Sequence, residues 1–183
     1  MTDTTLSLAR DRRITTAGII GFAAALAAAS QVAIPIPGTT VPMTLQPLAV
    51  VLAGLWLGPW AGAASMVLYL AAGAAGLPVF APVGLPGVAR LFGDTGGYLL
   101  AYPVAAFVAG AIARRRTGVA WRAVAAAAGI AMIHVGGLAQ LTILTGSVAR
   151  AVALGSLPFL AMDLVKAVVA GVLSPSRTDR AHA

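Results

Sequence analysis

Leu157-Pro158-Phe159-Leu160-Ala161-Met162-Asp163-Leu164-Val165-Lys166-Ala167-Val168-Val169-Ala170-Gly171-Val172-Leu173 is an apolar run of bilayer-spanning length that carries two opposite charges, and Lys166 is the only lysine in the chain. A charge near the bilayer midplane costs at least about 2.5–3.5 kcal/mol on insertion scales. One that persists there faces the bundle interior and meets a partner or a ligand. The spacing sets Asp163 and Lys166 on one helical face, one turn apart. The pair is therefore the first candidate for a functional centre. The alternative is a self-neutralising pair that only fastens the last helix to its neighbours.

Composition extends the membrane reading to the whole chain. Of 183 residues, 60% are hydrophobic and 9% charged, and glutamate is absent; the mean hydropathy is +0.94. A soluble domain of that size covers its core with about a quarter charged residues. One integral membrane domain follows. Zero cysteines exclude disulfides, thiolate metal sites and cysteine nucleophiles together. The first apolar run follows Arg10, Arg12 and Arg13 but is too long to read as a cleaved signal.

Breaks at Gly/Pro clusters and arginines predict six segments, near Ile14–Ile34, Thr44–Leu57, Trp60–Gly76, Gly97–Ala113, Ala123–Leu144 and Val152–Leu173. The second and third are short, and Gly58-Pro59 between them reads as a helix stop and restart, making a tight helical hairpin. The expected architecture is an all-α membrane protein with a six-transmembrane-helix bundle over residues 14–173. It is flanked by tails at 1–13 and 174–183. Arg10, Arg12, Arg13, Arg114, Arg115, Arg116, Arg122, Arg177 and Arg180 fall on one side of that arrangement, nine of twelve basic residues. By the positive-inside rule both termini are cytoplasmic, which requires an even number of spans. The same charges account for the basicity without a nucleic-acid partner, and acidic membrane lipid is their other natural contact.

The remaining special residues gather on the outer side. Residues 34–47 hold Pro35, Pro37, Pro42 and Pro47 and no charge, a stiff connector with the character of a lid. The next outer connection carries Gly76-Leu77-Pro78-Val79-Phe80 and then Arg90-Leu91-Phe92-Gly93-Asp94-Thr95-Gly96-Gly97-Tyr98, whose glycines permit close backbone approach to a ligand. Arg90 and Arg150 are the basic residues on that side.

Five motifs in order resemble the BioY family, the biotin-specific capture subunits of energy-coupling-factor (ECF) vitamin transporters. They are Val41-Pro42-Met43-Thr44-Leu45-Gln46, Leu55-Trp56-Leu57-Gly58-Pro59, Gly76-Leu77-Pro78-Val79-Phe80, Thr95-Gly96-Gly97-Tyr98 and Asp163-Leu164-Val165-Lys166-Ala167. Two positions depart from the family pattern: Asp94 where proline is usual, and Ala161-Met162 where a small pair precedes the aspartate. The resemblance implies high-affinity biotin uptake through an outward-opening site under the first outer loop, with no cofactor and no catalysis. It implies partners as well, a coupling transmembrane subunit and ATPase subunits.

Biotin offers two ureido N–H donors, a carbonyl acceptor, an apolar fused ring and a terminal carboxylate, so its site needs an acceptor, a cation and apolar walls. Asp163, Lys166, Gln46 and Thr44 supply polar contacts to the head, and Arg90 is the candidate for the carboxylate. The reverse orientation, with the tail at Lys166, remains open. Thr95, Gly96 and Gly97 would border the site, and Phe80 and Tyr98 would flank the ring. On the first segment Gly21, Ala25 and Ala29, with Ala24 and Ala28, form a small-residue strip. The family resemblance assigns such a strip to the coupling subunit.

With no phosphate-binding loop, the chain has no means of hydrolysing ATP itself. The competing readings are capture of another vitamin, or a small proton-coupled permease using Asp163 and His134 as a relay. Beside Gly136-Gly137, His134 reads instead as a helix-packing residue.

Overall fold

The computed structural model describes residues 2–175, and side chains from Arg12 onward. Helix α1 runs Thr2–Gln31, α2 Gln46–Leu57, α3 Pro59–Ala74, α4 Gly96–Ala113, α5 Val119–Thr145, α6 Val148–Gly155 and α7 Leu160–Leu173. Strands β1 (Ala33–Ile34) and β2 (Met43–Thr44) pair antiparallel, with Ala33 opposite Thr44 and Ile34 opposite Met43. A 3-10 helix occupies Gly87–Phe92. Arg177 and Arg180, which enter the orientation argument, lie outside the described residues, as does most of the 174–183 tail.

Local chemistry explains the breaks. Gly58 ends α2 at φ 84°, a conformation closed to most L-residues, and Pro59 starts α3 where a missing N–H is harmless. Ser147 caps α6 by accepting from the Arg150 amide at 3.3 Å. The last predicted segment, Val152–Leu173, is not one helix. It divides into α6 and α7, bent by 56° across Ser156–Phe159. Pro158 lacks an N–H and disfavours helical backbone in the residue before it. Asp163 therefore sits in the first turn of α7, where the helix dipole favours an anion.

Helix α5 also begins earlier than the sequence suggested, at Val119. Arg122 is thus not a loop residue. It is buried on α5 and donates Nε to the Gly171 carbonyl at 3.0 Å.

Among the described residues three stretches are long and apolar enough to cross a membrane, Arg12–Gln31, Gly96–Ala113 and Val119–Thr145, and the bent α6–α7 pair adds a fourth if it counts as one span. With 12 and 16 residues, α2 and α3 are about 18 and 24 Å long at 1.5 Å per residue, short of a ~30 Å hydrocarbon core.

Packing differs at the two ends of the bundle. Toward the 58–59 turn the core is small-residue: Ala109, Ala113, Ala125, Ala126, Ala167 and Ala170 pack around Val51 and Leu55. A β-carbon on Gly54 would lie 2.1 Å from the Ala106 carbonyl oxygen, so α2 and α4 meet backbone to backbone. At the opposite end, aromatics such as Tyr69, Phe80, Tyr98, Tyr102 and Phe159 enter the core. The β1–β2 hairpin, the 3-10 helix and the α6–α7 break all meet there, around one cavity.

Candidate functional site

The cavity spans about 630 Å³ including its mouth. Its α5–α7 wall holds a chain of side-chain contacts. Lys166 donates Nζ to Asp163 Oδ1 at 2.8 Å, the other carboxylate oxygen meets His134 Nε2 at 2.9 Å, and His134 Nδ1 lies 3.1 Å from Ser156 Oγ. Asp163 and Lys166 are only 6% and 8% exposed. Two charges buried this deeply persist because each has the other, and His134 gives the second carboxylate oxygen its own partner.

Tyr98 stands beside this wall, its ring edge-on to His134 at 6.4 Å, and donates Oη to the Gly155 carbonyl at 2.6 Å. Gly137 and Gly155 make its slot, since a β-carbon on either would lie 2.2 Å from the tyrosine side chain.

The facing wall is built differently. Arg90 is buried, and its two terminal nitrogens donate to the carbonyls of Val83 and Ala81. Gly84, at φ 109°, passes so close that a β-carbon there would lie 2.0 Å from Arg90 Nη1. Burial pulls the Arg90 guanidinium below its ordinary pKa, opposed by Tyr69 and Tyr102.

From α2, Gln46 donates Nε2 to Tyr69 Oη at 2.8 Å, while Thr44 Oγ1 donates to Gln46 Oε1 at 3.2 Å. Val41 and Pro42 of the hairpin close the mouth. The hairpin tip is tied across the molecule, because Thr39 Oγ1 donates to the Leu154 carbonyl at 2.7 Å and accepts from the Val41 amide at 3.1 Å.

Of the residues singled out in the sequence, Asp163, Lys166, Arg90, Gln46, Thr44, Thr95 and Tyr98 line this cavity. Phe80, Gly96 and Gly97 do not. The Phe80 ring packs over Gly73 and edge-on to Tyr69 at 5.4 Å. Gly96 and Gly97 serve packing: their β-carbons would lie 2.0 Å from the Leu91 carbonyl oxygen and 2.2 Å from that of Gly136. Asp94 borders a neighbouring cleft with Thr40 and Gly84.

His134, Tyr102 and Phe159 are cavity residues that sequence reasoning did not place there. For His134 the available signal was its charge-bearing character inside an apolar helix. On α1, Gly21, Ala24, Ala25 and Ala28 are exposed and Ala29 half-buried, while Ala23, Leu26 and Ser30 face the core.

The cavity, the short hairpin over it and the broken last helix invite comparison with known proteins. The profile of the BioY family matches residues 3–182. The chain belongs to the BioY family. Among its BioY relatives, "Biotin transporter BioY" of Thermotoga maritima is 35% identical over 163 residues, 89% of this chain and 94% of that protein. "Biotin transporter BioY" of Rhodobacter capsulatus is 38% identical over 179 residues, covering 90% and 92%. A crystal structure described as the S-component for biotin from an ECF-type ABC transporter shares the fold, with a TM-score of 0.82, 24% identity, and coverage of 94% of this chain and 92% of that one. As a BioY member with several apolar helices, the chain is an integral, multi-pass membrane protein and not an enzyme.

Proposed function

We propose that this chain captures biotin at the outer face of the cell membrane and delivers it inward as the substrate-binding subunit of an ECF-type transporter. The carrying observation is the buried Lys166–Asp163–His134 cluster, which lines the same cavity as Arg90. A carboxylate has about four lone-pair sites, and two contacts leave Asp163 able to accept from ureido N–H groups. Lys166 keeps N–H donors for the ureido oxygen, and Arg90 keeps donors for the valerate carboxylate. Tyr98, Tyr102 and Phe159 give the fused ring its apolar walls. Gln46, Thr44 and Thr95 complete the polar lining.

In this reading α1 to α5 and the α6–α7 pair are six spans with both termini cytoplasmic. The open strip Gly21, Ala24, Ala25, Ala28 and Ala29 receives the coupling transmembrane subunit, and ATPase subunits supply the energy. Equilibrium binding of labelled biotin to the purified chain tests the substrate. Wild type is expected to bind, with native mass spectrometry showing copurified biotin. A different copurified vitamin, or no binding, overturns the assignment.

A second reading draws on the continuity of Ser156, His134 and Asp163, which a proton relay would also use. Loss of uptake on adding a proton-dissipating agent at constant ATP would favour that reading.

A further inference from the structure

The sequence offered His134 helix packing or a place in a proton relay, and the structure sets it against both the charge pair and the α6–α7 break. An ionised carboxylate only accepts hydrogen bonds, so His134 Nε2 must donate to Asp163 Oδ2 across 2.9 Å. A neutral imidazole with its proton on Nε2 presents Nδ1 as an acceptor, which assigns the Ser156 hydroxyl at 3.1 Å as a donor. Proton direction is then consistent along the chain, from Ser156 to His134 to Asp163, with Lys166 donating to the other oxygen at 2.8 Å.

The two donors reach Asp163 from different helices. Lys166 shares α7 with it, whereas His134 comes from α5. Without His134 the carboxylate would be held through one oxygen only, by a flexible side chain of its own helix, and would be free to turn about its last torsion.

Three successive residues at the break brace this arrangement. Leu154 accepts from Thr39 of the hairpin, Gly155 accepts from Tyr98, and Ser156 holds His134. The ring is therefore held nearly perpendicular to Tyr98, with its Nε2 edge toward Asp163.

We infer that His134 is a positioning residue that, locked by Ser156, sets the plane of the Asp163 carboxylate so that its unused lone pairs meet the paired N–H groups of a neutral cyclic urea. The inference rests on the reading of this cavity as a biotin site and deepens it into a basis for head-group selectivity. With Lys166 and His134 both donating to Asp163, little uncompensated negative charge remains for a cationic head. A cyclic urea is favoured over its protonated cyclic guanidine counterpart, 2-iminobiotin.

A double-mutant cycle on the purified full chain tests this, with biotin and 2-iminobiotin as ligands. His134→Leu is expected to weaken biotin binding at least about tenfold, the scale of a charged hydrogen bond, and to narrow the preference for biotin over 2-iminobiotin. In an Asp163→Asn background the same substitution is expected to change binding less than about threefold, since non-additivity marks residues acting through one another. His134→Gln, which keeps an N–H near Nε2, restores most of the affinity. Equal losses in both backgrounds, or no rescue by glutamine, overturn the inference.

A second readout does not depend on ligand affinity or on the leucine variant folding. Nitrogen NMR of histidine-labelled protein, which has only His134 and His182, should show His134 as the Nε2–H tautomer. Its signal should move in Asp163→Asn and in Ser156→Ala. An unmoved signal overturns the inference. Absence of wild-type biotin binding counts instead against the transporter assignment, and the NMR result still judges His134.

Discussion

The two charged walls of the cavity hold their charge by opposite means. On the α5–α7 wall, Asp163 is satisfied by side chains, Lys166 and His134, both anchored on helices. On the facing wall, Arg90 is satisfied by backbone, the carbonyls of Ala81 and Val83 in the irregular stretch before the 3-10 helix that carries it. A side-chain network is as rigid as its helices and fails when a member is removed. A backbone-held cation is only as well placed as the loop around it, and it fails when that loop changes shape. The contrast predicts that substitutions will hurt the first wall through lost charge and the second through lost geometry.

The largest effect is expected at Asp163. Asp163→Ala strands Lys166 in the interior and leaves His134 without its acceptor. Breaking a buried pair costs about 3–5 kcal/mol, which should lower the melting temperature in detergent and reduce biotin affinity by more than a hundredfold. Lys166→Ala is milder, because His134 still donates a hydrogen bond to the Asp163 carboxylate. Loss of one charged hydrogen bond, about 1.5–3 kcal/mol, is its expected scale in a binding titration. If Lys166→Ala proves the more damaging of the two, Asp163 is not the hub of that wall.

The Arg90 wall gives a smaller effect with a different signature. Arg90→Lys keeps the charge but cannot bond two carbonyls with one planar group, so it should weaken biotin binding almost as much as Arg90→Ala, by roughly tenfold. Gly84→Ala should do much the same without touching any charge. Its β-carbon would meet Arg90 Nη1 at 2.0 Å, from a backbone at φ 109° that alanine rarely adopts. Wild-type affinity in Gly84→Ala, measured by the same titration, would show that loop geometry does not set this wall.

The two walls also differ in how far they could be read from sequence. Asp163 and Lys166 announce themselves, because charge inside an apolar run is an energetic anomaly visible at one glance along the chain. Gly58-Pro59 likewise marks its helix break locally. The glycines before Tyr98 are ambiguous: close approach to a ligand and close approach to another helix demand the same missing side chain. Only the fold shows that Gly97 faces Gly136, far along the chain.

His134 was only half legible for a related reason. Its partner Asp163 is 29 residues away, a separation with no helical periodicity to betray it. Pro158 was legible as a breaker, but the apolar composition of residues 157–173 masked the 56° bend. The bend matters to function, because it places Leu154, Gly155 and Ser156 where the hairpin, the aromatic wall and the charge network each attach.

The smallest predicted effect concerns the hairpin, which closes over both walls. Its ladder is two residue pairs long, too short to hold the mouth closed alone. Thr39 supplies the remaining polar tie, bonding Leu154 across the mouth and Val41 within the tip. Thr39→Val removes both bonds while keeping the side chain's shape, at a cost of about 0.5–1.5 kcal/mol per neutral hydrogen bond. Because the tie acts after the ligand has entered, the change should appear as faster dissociation, by about two- to tenfold, with entry little altered. A chase of labelled biotin with excess unlabelled ligand measures it directly. An unchanged dissociation rate would mean that the apolar contacts of Val41 and Pro42 hold the mouth. The Thr39–Leu154 bond would then be a consequence of closure and not its cause.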